Sequence, residues 1–122
     1  MNVDPGHDEI VRFVGEDDGG PVVMLNLLRF KGEQGRSSYE SYSEHVTPRL
    51  AAAGGTVLYA GECSTSLVAP EGPQWDMILL VRYPSRSAFL EMVKDPGYQE
   101  ITHLRSDGLD AAVLLATRQF GA

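Results

Sequence analysis

Asn26 and the pair His103 and Arg105 are the residues best suited to chemistry on a small molecule. Asn26 interrupts the apolar run 22–30, and a carboxamide buried there must form hydrogen bonds. It could hold a substrate carbonyl or a developing oxyanion, or it could satisfy a neighbouring group of the protein. His103 can exchange a proton near neutral pH, and Arg105 can bind a carboxylate or an enolate. Two positions apart on a helix, they are expected to point in different directions. Arg105 could also pair with a carboxylate or a helix end.

Two further pairs are candidates for contact with a substrate. Tyr42 and His45 are three positions apart on a predicted helix, so they could share a substrate or a proton. A core tyrosine with a satisfied hydroxyl is the alternative interpretation. Trp75 and Asp76 begin a predicted strand, where they could wall a pocket and place a carboxylate at its mouth. Plain packing also explains Trp75.

Three arginines could bind an anion if the fold brings them together. Arg29 and Arg82 lie in predicted strands, and Arg86 follows at the start of a predicted helix. An unpaired charge in a strand is costly when it is buried. Glu62 and Asp76 are available as partners, so structural ion pairs are the favoured interpretation.

The sequence gives no pattern typical of a metal or nucleotide site. The three histidines and the single cysteine, Cys63, are scattered without HxH, CxxC or HExxH spacing. No GxGxxG or P-loop pattern is present. We therefore expect neither a metal nor a cofactor, and we interpret Cys63 as a small core residue in a reducing compartment.

Composition bounds the possible partners. A chain of 122 residues has room for one domain. Seventeen acidic against ten basic residues give a net charge of −7, which disfavours binding to nucleic acid. Apolar runs are far shorter than the roughly 20 residues that span a bilayer, and the N-terminus does not resemble a signal peptide. We expect a cytoplasmic protein without a membrane partner. Residues 1–20 form an acidic N-terminal extension, interpreted as solvated, and residues 21–122 form the domain.

A strand–helix–strand order occurs twice along the chain. Apolar runs predict strands over residues 22–30, 56–68, 75–83 and 109–120. A short N-terminal helix is predicted over 5–14, and a first long helix from a capping box at 37–40 to the glycines at 54–55. A second long helix is predicted after Ser85, with a break at 95–97. Pro48 is expected to kink or split the first long helix. Gly61 is expected to mark a bulge or a close backbone approach.

This order predicts a ferredoxin-like βαββαβ fold of the α+β class, with an antiparallel sheet and helices on one face. Residues on both faces of the predicted strands are apolar, for example the neighbours Leu79 and Leu80. In a sheet with one face exposed to solvent, apolar and polar residues would alternate along each strand. The second face of this sheet is therefore expected to be covered. A second copy of the chain is the simplest cover, which predicts a homodimer with sheets packed face to face.

Four stretches resemble the family known as domain of unknown function 1330, a branch of the dimeric α/β-barrel superfamily. They are PVVMLNLLRF (21–30), SYESYSEHVTPRLAAAGG (38–55), WDMILLVRYPSRSAFLEM (75–92) and DPGYQEITHLRSDGL (95–109). The resemblance implies two ferredoxin-like chains forming a barrel with one cavity per subunit. Relatives in the superfamily include cofactor-free monooxygenases of polyketide quinones, muconolactone isomerase, haem-degrading oxygenases and chlorite dismutases. Quinone and haem oxygenases among them also use an Asn on the first strand, and the family motif makes Arg105 more typical than His103.

The leading hypothesis is a homodimer with one mostly apolar small-molecule pocket per subunit. Asn26 with His103 or Arg105 would polarise a carbonyl or enolate and move a proton, as in isomerisation, cyclisation or oxygenation without a cofactor. The sequence leaves open whether the protein is an enzyme. A non-catalytic ligand-binding or structural module is the alternative, in which Asn26 and Arg105 are fully satisfied. Haem binding with His103 as axial ligand ranks third, because the spacing from Trp75 to His103 departs from the haem-degrading relatives.

Overall fold

Four antiparallel strands form one sheet in the order β2–β3–β1–β4. The strands are β1 (Val22–Phe30), β2 (Thr56–Glu62), β3 (Met77–Tyr83) and β4 (Leu109–Thr117). This computed structural model describes residues 2–72 and 74–121. The order of the strands confirms the predicted ferredoxin-like βαββαβ topology.

Four helices accompany the sheet: α1 (His7–Gly15), α2 (Gly32–Ala52), α3 (Arg86–Lys94) and α4 (Pro96–Gly108). Helix α1 precedes the βαββαβ unit, as predicted. Ser85 caps α3 by accepting a hydrogen bond from the backbone N–H of Ala88 at 3.0 Å. Asp95 caps α4 through the N–H of Gly97 at 2.8 Å. The predicted break between α3 and α4 at Asp95 is therefore confirmed. No helix in the described ranges is long and apolar enough to cross a membrane.

Several predicted boundaries are wrong. Helix α2 begins at Gly32, without a side-chain cap, and not at the capping box 37–40. It also continues through Pro48 as one helix. Strand β2 ends at Glu62, because its pairing with β3 ends where Glu62 meets Met77. Strand β3 begins two residues later than predicted, and β4 ends at Thr117. The bulge in β2 falls between Val57 and Tyr59 and not at Gly61.

Alternate residues of β1 separate the two faces of the sheet. Val22, Met24 and Leu28 belong to the buried core between sheet and helices. Because side chains alternate along a strand, Asn26 shares this face. One side of α2 covers this face: Tyr39, Tyr42 and Val46 are buried, and Leu50 and Ala53 pack against the core.

The opposite face of the sheet is also apolar, as predicted. By alternation and strand register it carries Val23, Leu25 and Leu27 of β1, Ile78 and Leu80 of β3, and Val113 and Leu115 of β4. The helical residues of the buried core pack on the other face, with Val22, Met24 and Leu28. Leu115 is 52% exposed.

The acidic N-terminal extension packs on the domain, which corrects the expectation of a solvated appendage. Phe13 is buried and its ring lies 5.6 Å from that of Phe89, centroid to centroid. The guanidinium of Arg86 lies over the Phe13 ring and donates to the Phe13 carbonyl at 2.8 Å. The extension thus adds a hydrophobic anchor to the helical layer.

Candidate functional site

A cavity of about 360 Å³ lies between the sheet and the helical layer. All four strands and all four helices contribute to its wall, which is mostly apolar. Its polar lining residues are Asp4, Asn26, Tyr39, Tyr42, Ser43, Thr47, Tyr83, Tyr98, Gln99, Thr102, Arg105 and Ser106. An apolar cavity with a few grouped polar side chains is the usual form of a small-molecule site.

Arg105 is the most unusual residue of this wall. It is only 6% exposed and is the one buried charged side chain among the described residues. Its Nη1 donates to the Val3 carbonyl at 2.6 Å and lies 3.3 Å from Asp4 Oδ1. Its Nη2 is buried and has no hydrogen-bond partner in the described chain. A buried charged donor without an acceptor is destabilising.

The N-terminal segment holds Arg105 in place. Asp4, about half exposed, also accepts hydrogen bonds from the Ser106 hydroxyl at 2.8 and 3.0 Å. Asp4 therefore bridges two consecutive residues of α4. The segment before α1 both closes one side of the cavity and fixes one nitrogen of the guanidinium.

Two tyrosine hydroxyls meet inside the cavity wall. The hydroxyls of Tyr42 on α2 and Tyr98 on α4 are 3.0 Å apart and form a buried hydrogen bond. Their rings pack edge to face at 6.2 Å. One hydroxyl of the pair donates to the other, which leaves the second proton for an acceptor in the cavity.

Tyr39, Tyr42 and Tyr83 on the wall are neutral at physiological pH. Burial raises the pKa of Tyr39 to about 12, and it raises the pKa of Tyr42 and of Tyr83 still further. The positive charge of Arg105 acts in the opposite direction and lowers the pKa of Tyr39 and of Tyr42. These hydroxyls can therefore donate hydrogen bonds, but they are poor bases.

Asn26 lies on the cavity wall, in the middle of β1. Its Nδ2 donates to the Met24 carbonyl at 3.3 Å, which is its one hydrogen bond within the described residues. The side chain is half-buried. Asn26, Tyr42 and Arg105 are thus the predicted site residues that the fold brings to one cavity.

The two histidines proposed from the sequence lie elsewhere. His103 is exposed on α4, on a different side from Arg105, as their spacing predicted. His45 is exposed on α2, and its Nδ1 lies 2.7 Å from the Ser41 carbonyl. No histidine lines the cavity. Within the described ranges, no group of three His, Cys, Asp or Glu residues could hold a metal ion.

Trp75 and Asp76 also lie outside the cavity. Asp76 Oδ2 accepts from the backbone N–H of Phe30 at 2.9 Å, and the backbone N–H of Asp76 donates to the Leu28 carbonyl at 2.8 Å. These bonds join the start of β3 to the end of β1, which is a structural role. Trp75 is half-buried just before the strand.

The three arginines proposed as an anion cluster do not converge. Arg29 Nε pairs with Asp110 at 3.4 Å, not with the predicted partners. Arg82 is exposed near the other end of the sheet, opposite Val23. Arg86 contacts Phe13 on α1. No shared anion site exists among them.

Two residues of the site were missed by the sequence interpretation. Tyr98 follows the helix start at Asp95–Gly97, so a signal was present: an aromatic in the first turn of α4 faces whatever α4 packs against. Asp4 had no usable signal, because it meets Arg105 across a separation of 101 residues.

Comparison with known families gives one match that covers most of the chain. The family described as "Domain of unknown function (DUF1330)" matches residues 33–118. No curated protein matches the chain.

Solved structures extend the comparison to the whole fold. A protein of unknown function from Rhodopseudomonas palustris is 28% identical and superposes with a TM-score of 0.92, covering 99% of this chain and 98% of that one. A dimeric protein of unknown function with a ferredoxin-like fold, from Bacteroides fragilis, is 10% identical with a TM-score of 0.57 and covers 82% and 97%. A "putative antibiotic biosynthesis monooxygenase" from Bacteroides thetaiotaomicron is 16% identical with a TM-score of 0.59 and covers 83% and 90%. The last two similarities concern the fold alone.

Proposed function

The chain belongs to the DUF1330 family, and from this premise we propose that it is a homodimer that binds an apolar, carbonyl-containing small molecule in the cavity of each subunit. The ligand lies between β1 and the helices α2 and α4. If turnover follows binding, the side chains support chemistry of the isomerase, cyclase or monooxygenase type. Binding without turnover is the alternative within the same proposal.

The observation that carries this proposal is the unpartnered Nη2 of Arg105. A guanidinium held at 6% exposure costs free energy unless its donors are satisfied. Val3 satisfies Nη1, yet no described group satisfies Nη2. If the protein were a structural module without a ligand, its own groups would be expected to accept hydrogen bonds from both nitrogens of Arg105. A carbonyl or enolate oxygen that enters the cavity supplies the missing acceptor.

The neighbouring groups define what the cavity can do to such an oxygen. Tyr39 and Tyr42 stay protonated, so they can donate to developing negative charge. Asn26 retains an amide proton and an oxygen beyond its one hydrogen bond to Met24. Together with Arg105 these donors can polarise a carbonyl and stabilise an enolate. Among the lining residues Asp4 alone carries a carboxylate that could take up a proton.

Neighbours in fold give this proposal limited additional support. The protein from Bacteroides thetaiotaomicron is named as a putative antibiotic biosynthesis monooxygenase, and monooxygenation is one of the reaction types proposed for this cavity. The haem hypothesis receives no such support, since His103 is exposed and no histidine lines the cavity.

Calorimetric titration with 3-phenylpropanamide tests the binding proposal. This probe has a neutral carbonyl on an apolar body of suitable size. We expect saturable binding to the wild type and weaker binding to Arg105→Met, which keeps bulk but removes the donors. Arg118→Met is the matched control, because Arg118 is exposed and paired with Asp18 at the surface. Equal affinity of all three proteins would contradict the role of Arg105.

The dimer rests on the apolar face of the sheet opposite the helices. Leu25, Leu80 and Leu115 lie on this face, whereas the helices pack against the opposite face in the buried core. An apolar sheet face of this kind is usually an interface. Structures of ferredoxin-like proteins from Bacteroides fragilis and Thermobifida fusca are described as dimeric. A second copy of the chain fits the face by symmetry.

Native mass spectrometry tests the dimer with a matched pair of variants. We expect the wild type at twice the 13.3 kDa mass of the chain. Leu115→Glu places a charge on the sheet face and should shift the protein to monomer. Val14→Glu is the control, because Val14 on α1 has nearly the same exposure, 51% against 52%. A monomeric wild type would overturn the assembly.

A further inference from the structure

We propose that the ligand is the anion of an apolar carboxylic acid, and that its carboxylate takes the free Nη2 of Arg105. This inference rests on the proposed function and narrows the ligand from a carbonyl compound to a carboxylate. It concerns the same cavity, and three observations support it: the charge left on Arg105, the neutrality of the remaining wall, and the size of the cavity.

The charge of Arg105 is only partly compensated by the protein. The shorter contact of Nη1, at 2.6 Å, is to the neutral Val3 carbonyl. Asp4 lies farther away, at 3.3 Å, and its carboxylate is half exposed and shared with the Ser106 hydroxyl. Solvent and Ser106 therefore weaken the field of Asp4 at the guanidinium. The second nitrogen, Nη2, has no hydrogen-bond partner among the described residues.

Apart from Arg105 and Asp4, the residues that line the cavity carry no charged side chain. Arg105 is the one cationic residue among those that line the cavity, and Asp4 is the one acidic residue. The Tyr39 hydroxyl, and the one hydroxyl proton that the Tyr42–Tyr98 hydrogen bond leaves free, can be donated to the second carboxylate oxygen. Opposite this polar end, Met24, Leu79, Val81 and Leu114 of the sheet form an apolar floor. A molecule with one anionic end and an apolar body matches both ends of the cavity.

The volume sets the size of the acid. About 360 Å³ corresponds to roughly twelve water molecules at about 30 Å³ each. This space accepts a short aromatic or branched aliphatic acid. 3-Phenylpropanoate is a probe of suitable size.

Comparing this acid with its amide isolates the contribution of the charge. 3-Phenylpropanoate and 3-phenylpropanamide have nearly the same shape, and each has a carbonyl oxygen, but only the acid is charged at neutral pH. Calorimetric titration of the wild type should show tighter binding of the acid, by roughly ten- to one-hundredfold, as expected for a charge-assisted hydrogen bond. Arg105→Met should remove this preference, and Arg118→Met should retain it.

The outcomes separate the inference from the function on which it rests. If acid and amide bind the wild type equally, the carboxylate assignment is overturned while the carbonyl-binding function stands. If neither binds at millimolar concentration, both fail. If Arg105→Met folds poorly, the ratio of the wild-type affinities for the acid and the amide still tests the carboxylate assignment. Arg105→Lys then serves as a variant that keeps the positive charge. If Arg105→Met still prefers the acid, a group other than Arg105 binds the carboxylate. This result would also overturn the assignment of the carboxylate to Arg105.

Discussion

The buried tyrosines around the cavity should make the protein sensitive to alkaline pH. Burial raises the pKa of Tyr39 from 10.0 to about 12, whereas the unfolded chain exposes this hydroxyl to water. Above about pH 10 the unfolded state therefore loses a proton that the folded state retains, and stability falls as the pH rises. One pKa unit corresponds to about 1.36 kcal/mol. Tyr39 alone should thus remove about 3 kcal/mol of stability between about pH 10 and pH 12.

Tyr39→Phe tests this value with little disturbance of the packing. The ring keeps its contacts with Phe30 and Tyr42, whose centroids lie 5.5 and 5.4 Å away. The Tyr39 hydroxyl has no hydrogen bond within the described residues, so its removal should change stability little near neutral pH. Above about pH 10, the variant should lose stability less steeply than the wild type, by about 1.4 kcal/mol per pH unit.

Urea unfolding followed by circular dichroism, at a series of pH values, is the appropriate assay. The difference in unfolding free energy between wild type and Tyr39→Phe should be constant from about pH 7 to pH 9 and should then change in favour of the variant. The neutral range serves as the internal control. Parallel curves throughout the alkaline range would refute the argument that Tyr39 is neutral because it is buried.

Two further predictions concern packing around the cavity. In a double-mutant cycle of Tyr42→Phe and Tyr98→Phe, the coupling free energy should be about 1 kcal/mol, because the two hydroxyls satisfy each other; chemical denaturation measures it, and purely additive effects would contradict the hydrogen bond. Gly35→Ala should destabilise the protein by about 1–3 kcal/mol, since an added Cβ would lie 2.6 Å from the carbonyl oxygen of Gly108 where α2 approaches α4. Gly15→Ala has nothing within 4 Å of the added Cβ and should be neutral or stabilising by up to about 1 kcal/mol. Equal melting temperatures of the two glycine variants would argue against this close approach.

Local patterns predicted the elements whose limits are set locally. Strand β1 was placed correctly at Val22–Phe30, because a continuous apolar run stands between turn residues on both sides. The start of α3 was also predicted, because Ser85 can cap a helix from its own position. For the same reason the break before α4 was visible at Asp95 and Pro96.

Limits set by distant contacts were not predictable in this way. Strand β2 ends where its partner β3 begins, at the pair Glu62 and Met77. The sequence near residue 62 does not indicate this end. Helix α2 begins earlier than predicted, at Gly32. The backbone N–H of the preceding Lys31 donates a hydrogen bond to the Gly108 carbonyl at 2.9 Å. Gly35 permits the close approach to Gly108 that follows.

The site was predictable in its residue types but not in its geometry. An Asn in an apolar strand and an Arg beside a helix end were both recognised as candidates. Which of His103 and Arg105 turns inward depends on how α4 is rotated against α2, and two positions on a helix cannot decide that. The contact between Asp4 and Arg105 depends on the path of the N-terminal segment across the finished domain.

The most direct test of the cavity as the ligand site uses the methionine methyl groups. Met24 and Met92 line the cavity, whereas Met77 packs against the core without lining it. In protein labelled with ¹³C at the methionine methyls, saturation with 3-phenylpropanoate should shift the signals of Met24 and Met92 and leave that of Met77 in place. Each signal is assigned by a single Met→Leu variant. Unchanged Met24 and Met92 signals at saturating ligand would contradict the account, because the ligand would then bind outside this cavity.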